Sequence, residues 1–141
     1  MSAITVSPKR KQLGLYFKLL PDDANVRGED SVRFLRLLKG HVGPKMTVVW
    51  DRSMTHDRSK VVRKFLAANP GITTEKFPGY APELNPDEGV WTYAKYGRMP
   101  NFAPRDTRHL RRKLGYELKR LQGRPDLLAS FIEHSELPLA M

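Results

Sequence analysis

Apolar and polar positions first alternate in two short runs. Ser2 to Ser7 reads as a strand, and Leu13 to Leu20, rich in leucine and aromatics, as a second. Pro8-Lys9-Arg10-Lys11 between them is a basic turn, so the pair predicts a hairpin. After a polar loop over 21–28 the period changes. Val32, Leu35 and Leu38 share one helical face, with Asp30 or Ser31 as the cap and Gly40 as the end. Gly43-Pro44 turns the chain into Thr47-Val48-Val49-Trp50, a β-branched and aromatic run that predicts a buried strand leading to Asp51. Asp57 can cap the next helix, where Val61, Val62, Phe65 and Leu66 form one stripe. Asn69-Pro70-Gly71 ends it, and Ile72 to Phe77 predicts a further short strand.

The stretch from Phe77 to Trp91 breaks the pattern. Pro78, Gly79, Pro82 and Pro86 stiffen a connection that is neither strand nor helix. It stops at a strong helix start: Asn85 is a good cap, Pro86 suits the first helical position, and Glu88 stands three residues after the cap. That helix is expected to reach about Tyr96. A further helix opens at Asp106 or Thr107 and aligns Leu110, Leu114, Leu118 and Leu121; Gly123-Arg124-Pro125 breaks it, and Asp126 to His134 predicts a last short helix. The order β-β-α-β-α-β-α, followed by helices, predicts a mixed α/β sheet.

Composition adds less than charge does. At 141 residues the chain has the length of one domain, and a 40% hydrophobic content with mean hydropathy −0.53 fits a soluble globular protein. No apolar run is long enough to span a bilayer. Zero cysteines exclude disulfides and thiolate metal sites and fit a reducing cytosol. The net charge is +10, and ten Lys or Arg against two acids fall between Trp91 and Pro125. Arg105, Arg108, Arg111, Arg112, Lys113, Lys119 and Arg120 lie on or beside the leucine-striped helix, so several must face outward. Contact with DNA phosphates is the functional reading; a solvated helix face is the plain one. No pattern here specifies bases.

Two acids are the chemical candidates. Asp51 follows a strand and Glu88 opens a helix, with one helix and one strand between them, so both can sit at one end of a sheet. Two carboxylates there would favour a divalent metal. Each has a simpler reading: Asp51 as a turn acid, and Glu88 as the reciprocal member of a capping box with Asn85.

Asp51-Arg52-Ser53-Met54-Thr55-His56, together with Tyr80-Ala81-Pro82-Glu83-Leu84-Asn85-Pro86-Asp87-Glu88-Gly89-Val90-Trp91, closely resembles DDE transposases of the bacterial insertion-sequence branch of the Tc/mariner superfamily. The likeness runs on through Lys95 and Asn101-Phe102 into the C-terminal tail. It implies an RNase H-like α/β fold over 1–100 with a basic helical extension over 101–141. It also implies Mg²⁺- or Mn²⁺-dependent cleavage and strand transfer of DNA in the bacterial cytosol, with no membrane partner. Asp51 and Glu88 would be catalytic metal ligands, and His56 and Asn85 would line the site. His56 also reads as a loop histidine with only local hydrogen bonds.

The family bears three acids, and the first, on the opening central strand, has no match. Asp22, Asp23, Glu29 and Asp30 lie upstream of Asp51 but fall in a loop and a helix start. The reading is therefore the C-terminal portion of a transposase, lacking the central strand and inactive alone. An upstream transposase fragment or a homodimer would be its partner. The alternatives are a non-catalytic DNA-binding or dimerisation module, or the downstream half of a split transposase.

Overall fold

A computed structural model describes residues 1–7, 12–19, 26–51, 59–79, 82–97 and 105–135. The chain divides into two compact units, one of Met1–Asp22 with Pro82–Met141 and the other of Asp23–Ala81. The expected turn at 8–11, the acids Asp22 and Asp23, the cap Asp57, and His56 and Tyr80 lie outside the described residues.

The first unit opens on a hairpin. Strand β1 (Ser2–Ser7) pairs antiparallel with β2 (Gln12–Phe17), from Ser2 opposite Phe17 to Ser7 opposite Gln12. The second strand ends at Phe17, short of the expected Leu20. The unit resumes with a 3₁₀ turn (Pro82–Leu84), helix α3 (Asp87–Thr92), a π turn (Tyr93–Gly97), α4 (Thr107–Gln122) and α5 (Pro125–His134). Asp106 caps α4 as expected, its Oδ1 accepting from the His109 N–H at 2.7 Å. Leu15, Val90, Leu118, Leu121 and Leu128 form the core, which joins the hairpin to all three helices. Leu118 and Leu121 are buried, whereas Leu110 and Leu114 nearer the start of α4 are only half-buried. Gly89 lets α3 approach α5: a Cβ there would stand 2.9 Å from the Phe131 ring.

The second unit holds α1 (Gly28–Val42), β3 (Met46–Trp50), α2 (Lys60–Ala68) and β4 (Ile72–Lys76). Strands β3 and β4 run parallel, Met46 opposite Ile72 and Trp50 opposite Lys76, joined by the α2 crossover. Val32, Leu35 and Leu38 of α1 and Val62 and Phe65 of α2 are buried, as their spacing requires.

The limits of α1 differ from expectation at both ends. Its cap residue is Arg27, and Asp30 sits in the first turn with its carboxylate accepting from the Arg27 N–H at 2.9 Å. Ser31 is buried and caps nothing at this end. The helix passes through Gly40 and ends at Gly43, whose φ of +117° suits a residue without Cβ and whose N–H reaches Lys39 O at 2.9 Å. At α2 the cap is Ser59, with Oγ accepting from the Val62 N–H at 3.4 Å.

The expected single sheet is present as two two-stranded ladders, β1–β2 and β3–β4, with no strand pairing between them among the described residues. β3 is also less buried than its composition predicts. Thr47 and Val49 are exposed while Met46, Val48 and Trp50 are half-buried, because packing covers one face of this two-stranded ladder and leaves the other open.

Candidate functional site

Asp51 follows β3 directly, at the carboxyl end of the parallel ladder, and is exposed. The backbone there is fixed by the Phe77 N–H, which donates to Trp50 O at 2.9 Å as the chain leaves β4. The position follows from the sequence: a β-branched run ends where an acid begins.

Glu88 belongs to the other unit. It is exposed in the first turn of α3, where the helix N-terminus favours a negative charge. The helix starts one residue later than expected, with Pro86 and not Asn85 at the cap position; Asn85 Oδ1 still accepts from the Asp87 N–H at 3.1 Å. The return bond that a capping box needs, from the Asn85 N–H to the Glu88 carboxylate, does not form. The Glu88 N–H donates to Asn85 O at 3.1 Å, and its side chain makes no hydrogen bond or ion pair with another described residue. Its side chain lines a groove of about 420 Å³ together with Glu83, Asn85, Thr92, Phe131 and His134. His134 comes from α5, with Nδ1 2.7 Å from Ser130 O.

Asp87, the neighbouring acid, has a structural role. Its Oδ2 accepts from the Ser2 hydroxyl at 2.6 Å, and the Trp91 indole N–H donates to the same Ser2 Oγ at 2.8 Å. This network ties the first residue of β1 to α3, and Trp91 packs against the core as expected of a packing residue. Oδ1 of Asp87 is enclosed with no hydrogen-bond partner. Burial pushes the Asp87 carboxyl above the usual carboxylate range, against the Ser2 hydroxyl, and the adjacent Glu88 charge pushes the same way as burial.

A stability prediction follows with a definite sign. The folded state holds the Asp87 proton to higher pH than the unfolded chain does, so this group costs stability as pH rises from the ordinary carboxylate value through the raised one. Asp87→Asn is expected to remove that loss. Urea unfolding in EDTA should show the variant gaining on the parent between acidic and neutral pH. A difference that stays constant across the whole range would sink the assignment.

The seven cations of the tail are not equivalent. Arg105, Arg108, Arg112 and Lys119 are exposed, and their side chains have no hydrogen bond or ion pair with another described residue. Arg111 instead turns inward, its guanidinium donating to Leu19 O at 3.3 Å. Lys113 and Arg120 flank Glu117, whose side chain is only 3% exposed, at 3.1 and 3.9 Å. Both also lie over the Tyr116 ring, at 5.5 and 5.8 Å. Glu117 is the residue that sequence reading missed. The signal was there: it stands four residues after Lys113 and three before Arg120, the spacings that bring side chains together on a helix.

Carboxylate oxygens suit Mg²⁺ or Mn²⁺ as donors. The set is incomplete: among the described residues no three His, Cys, Asp or Glu side chains are grouped so as to hold a metal ion. Asp51 and Glu88 stand in different units. Among the described residues no helix is long and apolar enough to cross a membrane.

The chain is a strongly basic α/β protein with an exposed acid closing one strand and another opening one helix. The chain belongs to the DDE superfamily endonuclease family, whose family model matches residues 19–111, a span that includes both Asp51 and Glu88. No curated protein and no solved structure matches it.

Proposed function

We propose that this chain contributes the second and third acids, Asp51 and Glu88, of a transposase in the bacterial insertion-sequence branch of the Tc/mariner superfamily, acting on DNA in the cytosol. The observation that carries the reading is Glu88. It lies in the segment matched to the endonuclease family, and the reciprocal capping bond that would otherwise explain it does not form. Its carboxylate stays exposed at a helix start, open to a ligand.

In this reading the isolated chain does not cut DNA, because two acids from separate units lack the third. Supercoiled plasmid incubated with the chain and Mg²⁺ or Mn²⁺ is expected to stay supercoiled. Nicking that Asp51→Ala or Glu88→Ala abolishes would overturn this expectation.

The separation of the β1–β2 and β3–β4 ladders favours completion by a second polypeptide, an upstream transposase fragment that brings an Asp-bearing strand. Nicking that appears only when such a fragment is added in trans supports that form of the proposal. Salt-sensitive DNA binding without nicking, whatever is added, favours a binding module instead.

A further inference from the structure

We infer that the groove between α1 and α2 is a second DNA-backbone surface, distinct from the basic tail; this rests on the DNA-directed reading above. The groove has a volume of about 730 Å³. Val32, Val61 and Phe65 contribute apolar walls, and Arg36, Lys39 and Lys64 supply three cations with no acid among the lining residues. Among the described residues none of the three pairs with a carboxylate. The nearest acids of α1, Glu29 and Asp30, sit in its first turn, and Asp30 is engaged by Arg33 at 3.5 Å and by the Arg27 N–H.

The cations are held in place. The Arg36 guanidinium lies 5.6 Å from the centre of the Phe65 ring, which orients its planar fork of donors. Lys39 Nζ donates to Asn69 Oδ1 at 2.5 Å, leaving further N–H groups for a ligand. Asn69 is itself anchored through its amide N–H to Phe65 O at 2.8 Å. Lys64 is exposed with no described partner. Three like charges along one groove repel each other, and a phosphodiester chain relieves that repulsion while its sugars meet the apolar walls. Pro44, just before β3, and Asn69, just after α2, line one end. Val32 and Val61, near the starts of the two helices, line the other end.

Arg36→Gln with Lys64→Gln removes two phosphate contacts. The slope of log affinity against log salt for a DNA duplex is expected to fall by about 1.8, at about 0.9 per contact. Lys64→Glu alone, on an exposed position, covers the case in which loss of Arg36 loosens α1 from α2. The chain has no cysteine, so Ala68→Cys carries a photoreactive aryl azide to one place in the groove. It is expected to cross-link the duplex at low salt. An unchanged slope in both groove variants overturns the inference, provided Arg108→Gln with Arg112→Gln lowers it, and leaves the DNA reading standing. Cross-linking to a second copy of the chain in place of DNA overturns it too. If the parent chain shows no salt-dependent DNA binding, the functional reading fails, and this inference with it.

Discussion

Replacing Arg105, Arg108, Arg112 and Lys119 together by glutamine is expected to weaken duplex binding on the order of a thousandfold at about 0.1 M salt, and to lower the log–log salt slope by about 3.6. Each of these side chains is exposed and without a described partner, so each is available to displace a counterion from the phosphate backbone. The companion change, Lys113→Gln with Arg120→Gln, should move the slope far less. The buried Glu117 carboxylate already neutralises part of that charge, and removing both cations takes two counter-charges from a buried acid. The variant should therefore lose stability before it loses DNA. Equal slopes for the two variants, measured by fluorescence anisotropy across a salt series, would show that the tail acts as an undivided charge cloud.

Leu118→Ala is expected to cost about 3 kcal/mol, within the range seen for large-to-small changes at buried leucines. Leu118 is 0% exposed and sits where α4 meets Leu15 of the hairpin, Val90 of α3 and Leu128 of α5. The two tryptophans separate the outcome by unit, since Trp91 reports on the first and Trp50 on the second. In urea, the Trp91 transition in a Trp50→Phe background should move to lower denaturant. The Trp50 transition in a Trp91→Phe background should not follow it. If both move together, the units unfold as one block and their division has no energetic meaning.

Most elements were legible because local signals and burial agreed. β1 runs from Ser2 to Ser7 as its alternation predicts, and Asp106 caps α4 because nothing competes for its carboxylate. Where the reading failed, a local signal had a rival. Gly40 looked like a helix end, but the helical hydrogen bonds run on to Gly43, whose backbone is the one that needs glycine. Asp30 looked like a cap, yet it serves α1 from within the first turn. The split into two ladders and the tie from Ser2 to Asp87 and Trp91 were beyond reach, because periodicity carries no information about partners more than eighty positions away. For the site, the sequence named Asp51 and Glu88 and left two roles open for Glu88. The capping role falls because no bond runs from the Asn85 N–H back to the Glu88 carboxylate.

The first unit is assembled from both arms of the chain, with Asp23–Ala81 inserted between them. Gln122 donates to Leu15 O across 107 positions, and Leu118 and Leu121 close over the same leucine. On the ribosome, the inserted unit has all its own partners once Ala81 has emerged. The hairpin must wait, apolar face uncovered, until translation reaches α4 and α5. A nascent chain that has emerged only to about residue 100 would therefore hold a folded insert beside a sticky, unprotected hairpin, and that state is where chaperone capture and misassembly between neighbouring chains should concentrate.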